Sequence, residues 1–179
     1  IRYLRNEQRE HRLDEVVIAL SAEMLVAGGI ESDREVAKQK CDDAVTSGKA
    51  AEIFGRMTAA LGGPADIVEN YDRYLPRAPV IRPVHAEGIV SAVDTFAVGN
   101  AIIELGGGRR TVGEKLDLSV GFTDVAAIGT RLDADRPLAV IHAATEADAE
   151  AAERNLLAAC ELSDEPPGAR PVICGILEG

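Results

Sequence analysis

Residues that could bind an anion stand together at 104–110, ELGGGRR, where three glycines precede two arginines. Glycine loops that hold phosphate precede a helix, because free main-chain N–H groups and the positive end of the helix dipole then face the anion. Here the glycines follow a predicted helix. We therefore predict that Gly106 ends the helix in a left-handed conformation and that Arg109 and Arg110 complement its negative end. The alternative is a mobile loop, Gly107, Arg109 and Arg110, that helps to cover an anionic ligand.

Other side chains that could do acid–base or nucleophilic chemistry lack the partners that such chemistry needs. His85 and His142 each fall in a strand pattern, with carboxylates such as Glu87 nearby. No nucleophile or second ligand stands at a fixed spacing, so we expect strand-surface or hydrogen-bonded core histidines rather than catalytic ones. Ser119 and Asp124 could be imagined in a triad, but no GxSxG surrounds Ser119 and an ordinary turn is the prediction.

The composition restricts the class of protein. The 179 residues carry a net charge of −11, are 46% hydrophobic, and contain no apolar run near the length of a membrane span. Since phosphate backbones are held mainly by clustered Lys and Arg, we expect neither nucleic acid nor a membrane as a partner. Three scattered cysteines and three histidines predict no disulfide framework, no metal site and a reduced, cytoplasmic setting. The acidic run ESDREVAKQKCDD is expected on a solvated helix face.

The first 75 residues contain two stretches with long apolar stripes at helical spacing. The stretch RLDEVVIALSAEMLVA predicts a helix that stops at Gly28 and Gly29. Its face is expected to be buried and consists of Leu13, Val16, Val17, Leu20, Met24 and Leu25. The stretch KAAEIFGRMTAALGG predicts another helix, whose stripe consists of Ala50, Ile53, Phe54, Met57, Ala60 and Leu61.

Two further helices are predicted from their first turns. Ser32 and Glu35 have the spacing of a capping box, which places Ser32 at the N-cap of a helix that stops near Gly48. The segment PADIVENYDRYL predicts a short helix with Pro64 in its first turn.

From residue 76 the pattern changes. The segment PRAPVIRPV has three prolines in nine residues, which excludes a helix and predicts an extended linker, with a domain boundary near residues 75–82. The segment VHAEGIVSAV that follows predicts one strand with a kink or bulge at Gly88.

Two amphipathic helices are predicted in the second part of the chain. Asp94 can cap the first, whose stripe is Val98, Ala101, Ile102 and Leu105. Thr145, with Asp148 three residues later, starts the second, which carries Ala149, Ala152, Leu156 and Ala159.

Strands complete the second part. The segments EKLDLSVGF and PLAVIHA predict two strands on either side of the turn-like GTRLDADR. A last short strand, VICGI, follows the proline-rich DEPPGARP. The predicted fold class is α+β, in which a helical segment precedes a unit of mixed helices and strands.

Several of these stretches resemble one family in the same order along the chain. ALSAEMLVAGGI, GKAAEIFGRMTAALGGPADIVENYDRYLP, ELGGGRR, LDLSVGFTDVAAIG and RPLAVIHA are similar to the C-terminal part of the bacterial thymidine and pyrimidine-nucleoside phosphorylases. The likeness runs over nearly all 179 residues. GFTDVAAIG and IVENYDRYLP resemble the thymidine-specific branch more than the broader one.

The resemblance implies the fold and the reaction. Residues 1–75 would be the helical end of an α/β catalytic domain, and residues 76–179 a C-terminal α+β domain with a hammerhead-like β motif. The family catalyses reversible phosphorolysis of thymidine to thymine and 2-deoxy-α-D-ribose 1-phosphate. Inorganic phosphate is a co-substrate, no cofactor is implied, and the expected assembly is a homodimer.

The resemblance transfers no catalytic residue to this numbering. The family holds phosphate with a Lys-His-Ser-Thr-Gly-Gly type of loop and pyrimidine with an Arg-x-x-(Ser/Thr)-x-Thr-like stretch, and neither occurs in this sequence. Because Ile1 falls within what looks like a helix, we expect a piece of a larger protein that is inactive alone. Two alternatives stay open: a broader-specificity phosphorylase, or a noncatalytic hammerhead-type module. The strands also look like those of biotinyl and lipoyl carriers, but the segment after His142 lacks the lysine that a carrier needs.

Overall fold

A computed structural model describes residues 1–168 and 171–176 of the chain. The chain divides into two compact units. The first contains Ile1–Tyr74 and the C-terminal residues 171–176, and the second contains residues 75–168. The first is helical and the second mixes helices with strands, which confirms the predicted α+β class. Among the described residues, no helix combines the length and hydropathy needed to cross a membrane.

The first unit is built from four helices near the predicted positions. They are α1 (His11–Ala27), α2 (Arg34–Thr46), α3 (Lys49–Ala60) and α4 (Ile67–Tyr74). The helix α2 packs against both α1 and α3, and α3 packs against α4. Their contacts are made largely through small side chains, since the buried residues of these helices are Ala22, Ala37, Val45, Ala51, Gly55 and Ile67.

The large apolar residues of α1 and α3 are mostly outside this packing, so the prediction of a buried α1 face is wrong. On α1, Leu20 and Met24 are 59% and 74% exposed. The stripe on α3 is also open, with Ile53, Met57 and Leu61 exposed. Because alanines and glycine let the helices approach closely, the contacts within the unit use the small residues and leave the larger ones on its surface.

Helix starts differ from the predictions by one to three residues. The N-cap of α2 is Asp33 rather than Ser32, and its Oδ1 accepts hydrogen bonds from the N–H groups of Glu35 at 2.8 Å and Val36 at 3.1 Å. A carboxylate both satisfies free N–H groups and complements the helix dipole. Pro64 lies three residues before α4 begins and is therefore outside the helix.

The second unit contains two three-stranded antiparallel sheets, with strand orders β1-β5-β3 and β4-β2-β6. Its helices are α5 (Thr95–Ile102) and α6 (Glu146–Ala158). Its strands are β1 (Val80–Val84), β2 (Gly88–Val93), β3 (Gly121–Thr123), β4 (Arg131–Leu132), β5 (Ala139–Ala143) and β6 (Cys160–Ser163).

The segment predicted as a linker is partly a strand. β1 pairs with β5 and places Pro83 opposite Val140. β1 lies at the edge of its sheet, where a residue without an N–H group is tolerated. The predicted single strand that follows is two strands in different sheets, because β1 ends at Val84 and β2 starts at Gly88. Gly88 has φ +127°, which fits the predicted kink, and a register shift follows between Val90 and Ala92.

The remaining strand predictions are partly wrong. EKLDLSVGF forms strand only from Gly121, because acidic side chains in it bind the main chain of a loop instead. The turn GTRLDADR contains the two-residue strand β4, and Asp133 accepts from the N–H groups of the two turn residues Asp135 and Arg136. The described residues 172–176 contain no strand, whereas β6, which was not predicted, pairs with β2.

The helix predictions for this unit are confirmed. Asp94 caps α5 through the N–H groups of Phe96 and Ala97, and Thr145 caps α6 through the N–H of Asp148. PLAVIHA forms β5 at the centre of its sheet. The core joins α6 to the strands and consists of Val84, Val90, Leu105, Ala126, Leu132, Leu138, Ala139, Ile141, Ala143, Ala149, Ala152 and Leu156.

Candidate functional site

The segment between α5 and β3 is a loop fixed to the core at its start. After Ile102 the chain makes a π-helical turn, Ile103–Gly107. Leu105 within this turn is buried in the core cluster. Glu104 accepts a hydrogen bond at 2.6 Å from the Nδ2 of Asn155 on α6. The loop therefore leaves from a rigid base.

Each glycine of the run has a structural role. Gly106 has φ +96°, which confirms its predicted left-handed conformation. A Cβ on Gly107 would lie 2.9 Å from the Cγ2 of Ile102, and one on Gly108 would lie 2.5 Å from the Cγ1 of Ile103. The run lets the chain reverse and pass close to the helix that it leaves. Backbone requirements therefore explain the three glycines, and no bound phosphate is needed to account for them.

Asp117 closes the loop at its base. Its N–H donates to the carbonyl oxygen of Gly106 at 3.0 Å. Its Oδ1 accepts from the N–H of Ser119 at 2.9 Å and from the Ser119 hydroxyl at 2.6 Å. The Ser119 hydroxyl thus holds a turn, as expected, and these donors lower the pKa of Asp117.

Glu114 organises the inside of the loop. Its Oε2 accepts from the N–H groups of Arg110 at 2.8 Å and Thr111 at 3.2 Å, and the Arg110 Nη2 lies 3.5 Å from its Oε1. The Nε of Arg109 donates to the carbonyl oxygen of Glu114 at 3.4 Å. The main-chain donors, then the Arg110 charge, lower the pKa of the Glu114 carboxyl. Both arginines bind Glu114, rather than the helix end that the sequence suggested.

The loop encloses a small basic recess. A cavity of ≈ 270 Å³ is lined by the five residues Arg109, Arg110, Thr111, Val112 and Gly113. Convergent N–H groups and a guanidinium can hold an anion. The structure brings Gly107, Arg109 and Arg110 into one loop, and a role for them in covering a ligand stays a prediction. The contribution of Glu114 was missed, although its spacing of four residues from Arg110 could have suggested it.

His85 and His142 lie outside this loop. The Nε2 of His142 on β5 lies 2.9 Å from the Thr123 hydroxyl on the neighbouring β3, which confirms a hydrogen-bonded strand histidine. His85 lies in the connection between β1 and β2 and lines a surface recess with Glu87 and Asp133. The prediction that His85 lies within a strand is wrong, because β1 stops at Val84.

A charged network in the first unit was not found from the sequence. Arg9 donates through Nη2 to Asp42 at 2.7 Å and through Nε to Asp14 at 3.0 Å, and the Tyr3 hydroxyl donates to Asp14 at 2.7 Å. Partial burial and the Asp14 carboxylate raise the pKa of Tyr3 to about 12. Arg9 and Asp14 are close in sequence, but Asp42 is on another helix, so no local pattern predicts the whole network. These hydrogen bonds connect the N-terminal segment to α1 and α2, which is a structural role.

No metal or disulfide chemistry is built from the described residues. They contain no group of three or more His, Cys, Asp or Glu side chains that could hold a metal ion. Cys41, Cys160 and Cys174 are all free. Burial raises the thiol pKa of Cys41 and of Cys160.

Comparison with protein families assigns the part of the chain that carries the loop. Residues 89–163 match the family described as the pyrimidine nucleoside phosphorylase C-terminal domain. This segment is similar to pyrimidine nucleoside phosphorylase C-terminal domains. The match runs from the second residue of β2 to the last residue of β6 and covers less than half of the chain.

The assignment agrees with the resemblance seen in the sequence at the level of the wider family. Pyrimidine nucleoside phosphorylases are pentosyltransferases of nucleoside metabolism, so the domain is one of an enzyme family. The whole loop between α5 and β3 lies inside the phosphorylase domain. The match does not separate thymidine-specific members from broader ones.

Proposed function

We propose that this chain is the C-terminal part of a thymidine phosphorylase. Such an enzyme converts thymidine and inorganic phosphate reversibly into thymine and 2-deoxy-α-D-ribose 1-phosphate. The observation that carries the proposal is the family match over residues 89–163, within a longer sequence resemblance to thymidine-specific members. Inorganic phosphate is the co-substrate, and no further cofactor or metal is proposed.

The reaction defines what the complete enzyme needs. A phosphate oxygen bonds to the anomeric carbon of the sugar while the bond from that carbon to the pyrimidine nitrogen breaks and the base leaves with the bonding electrons. Donors placed around the phosphate and the departing base stabilise both charges. The family's phosphate loop and pyrimidine-binding stretch have no counterpart in these 179 residues. We propose that those groups are supplied by other residues of the gene product and that this chain supplies support.

The first unit fits the helical end of an α/β catalytic domain. Large apolar side chains are exposed on both α1 and α3, among them Leu20, Met24 and Ile53. Further catalytic-domain structure packed on these helices would remove that surface from water. We also propose a cytoplasmic homodimer, as the resemblance implies.

The loop is proposed to approach the active site when the domains close. Gly107 lets the chain pass the helix, and Arg109 and Arg110 bring positive charge to an exposed loop on a rigid base. Closure over phosphate would exclude water, which otherwise competes as the nucleophile.

The loop proposal is tested in the complete gene product with the double substitution Arg109→Ala and Arg110→Ala. We expect a KM for phosphate that rises severalfold. Arg56→Ala with Arg154→Ala removes the same charge from exposed helical positions and serves as the control. An unchanged phosphate dependence in the loop variant would remove the loop from the site.

The reaction is tested by measuring thymine released from thymidine with and without phosphate. The 179-residue chain alone is expected to release none, and the complete gene product to release thymine only with phosphate. Robust turnover by the 179 residues would overturn the claim that the catalytic groups lie elsewhere. Absence of turnover by the complete gene product would favour the noncatalytic module.

A broader pyrimidine-nucleoside phosphorylase is the second candidate, because the matched family is described by pyrimidine nucleosides and not by thymidine alone. The substrates thymidine and uridine separate the candidates, since uridine carries a 2′-hydroxyl group. Comparable kcat/KM values for the two would favour the broader enzyme. Strong preference for thymidine would favour the specific one.

A further inference from the structure

We propose that the loop of residues 109–114 is an anion-binding site now occupied by its own Glu114 carboxylate, and that a phosphate group exchanges with this carboxylate. The site would then alternate between a closed form, with Glu114 bound, and a form that holds a phosphate group. This inference concerns the ligand of the loop and does not require the loop to touch the reacting atoms.

The geometry around Glu114 is that of an anion receptor. Two consecutive main-chain N–H groups, those of Arg110 and Thr111, point at one carboxylate oxygen from 2.8 Å and 3.2 Å. The Arg110 guanidinium lies 3.5 Å from the other oxygen. Successive N–H groups in a turn form a concave site for anions, and a guanidinium matches both carboxylate and phosphate oxygens. The carboxylate thus marks where an external oxyanion would bind.

The Glu114 carboxylate is bound in a way that allows another anion to displace it. The side chains of Arg110 and Glu114 are 61% and 30% exposed, so solvent reaches their ion pair and weakens it. The Arg109 side chain contacts the Glu114 carbonyl rather than its carboxylate, so its charge is available to a second anion in the same recess. A phosphate monoester carries a charge of about −1.5 to −2 at neutral pH and three acceptor oxygens, against one charge on the carboxylate.

The recess beside these groups has room for a phosphate group. Its volume is ≈ 270 Å³, and Arg109, Arg110 and Thr111 are among the residues that line it. The choice of phosphate over other oxyanions rests on the proposed phosphorolysis, in which both a substrate and a product carry phosphate.

Substitution of Glu114 should therefore leave the N–H groups of Arg110 and Thr111 available to phosphate. A carboxylate on the same loop competes at an effective concentration in the millimolar range, so its loss should lower the apparent Kd for phosphate by about tenfold. The probe is inorganic phosphate, added at constant ionic strength to the complete gene product with ¹⁵N-labelled arginine and threonine. We expect saturable shifts of the Arg110 and Thr111 amide signals in Glu114→Ala, at about one tenth of the phosphate concentration that the unsubstituted chain needs.

Controls separate binding from charge and from loss of structure. Glu150→Ala makes the same change in net charge on the exposed face of α6 and should bind phosphate no better than the unsubstituted chain. Arg110→Ala added to Glu114→Ala should weaken binding again. Glu114→Gln keeps an acceptor oxygen in place and should still tighten binding, which covers the case in which Glu114→Ala disorders the loop.

The outcomes are decisive for the site itself. Equal binding by Glu114→Ala, Glu114→Gln and Glu150→Ala, or shifts that do not include Arg110 and Thr111, would overturn the proposal. Ribose 5-phosphate distinguishes a sugar-phosphate ligand from free phosphate, and a response to either supports a phosphate-group site. No nucleoside is converted in this experiment, so its failure is distinct from failure of the proposed phosphorylase activity.

Discussion

Glu114 does more than the glycine run to define the loop between α5 and β3. The three glycines allow a reversal and a close passage along the helix end, which are backbone requirements. Glu114 fixes the main chain of Arg110 and Thr111 through hydrogen bonds to a charged acceptor. The anion-binding character therefore comes from the residues after the glycines and not from the glycines themselves.

The loop is expected to depend on pH through Glu114. Its pKa lies below the usual 4.5, because the two main-chain N–H groups favour the charged form. A carboxyl with a lowered pKa stabilises the fold at pH above its unfolded value and loses that effect as the pH falls through its folded pKa. We expect the Arg110 and Thr111 amide shifts to be constant at neutral pH and to change only below about 4.5.

The variant Glu114→Gln identifies the titrating group. Asp117, at the loop base, also has a lowered pKa and could produce a similar signal. The transition at the Arg110 and Thr111 amides should disappear in Glu114→Gln and persist in the unsubstituted chain. Its persistence in the variant would assign the transition to Asp117 and contradict our account.

The close passage at Gly108 gives a stability prediction. A methyl group there would meet Ile103, including its Cα at 3.2 Å, so the main chain must move. We expect Gly108→Ala to lower the free energy of unfolding by about 1–3 kcal/mol, measured by urea denaturation. Gly99→Ala is the control, because its Cβ meets open space within α5, and it should be neutral or stabilise by up to about 1 kcal/mol. Equal effects of the two substitutions would refute the packing argument.

At the scale of elements, helices were predicted better than strands. Helical spacing and capping residues are local signals, and they placed α5 and α6 with their caps at Asp94 and Thr145. The strands are short, and their pairing joins distant segments, such as β2 with β6. Proline patterns predicted a linker at β1, since the sequence does not show that the strand lies at a sheet edge.

Two substitutions test whether Asp33, rather than the predicted Ser32, caps α2. Asp33 accepts from two N–H groups of the helix, whereas the Ser32 N–H is itself bonded to Glu31. Asp33→Ala should lower the free energy of unfolding by about 1 kcal/mol. Ser32→Ala should change it by less than about 0.5 kcal/mol, as surface substitutions usually do. Urea denaturation of both variants checks this, and a larger loss in Ser32→Ala would restore the capping box predicted from the sequence.

The candidate site was predictable in outline only. The sequence indicated Gly107, Arg109 and Arg110 as candidate site residues, because these residue types suit an anionic ligand. It did not show that Glu114 folds back onto the same main chain, since that contact depends on the turn between them. Side-chain pairing inside irregular loops has no periodic signal from which it can be derived.

At the scale of the whole molecule, the two units differ in what covers their apolar residues. The second unit contains the segment that matches the phosphorylase family, with a contiguous core around α6. The first unit has a core of mainly small residues and leaves large apolar side chains such as Met24 and Leu61 exposed. This contrast is expected if the helices of the first unit belong to a larger catalytic domain, as proposed.

The measurement that tests the central claim most directly is phosphate-dependent cleavage of thymidine by the complete gene product. Thymine and 2-deoxyribose 1-phosphate should form in equal amounts, and thymine release should stop when phosphate is omitted. The reverse reaction, from thymine and 2-deoxyribose 1-phosphate, should yield thymidine. Thymine formed without phosphate would indicate hydrolysis, and the absence of any thymine would show that the chain does not serve a thymidine phosphorylase.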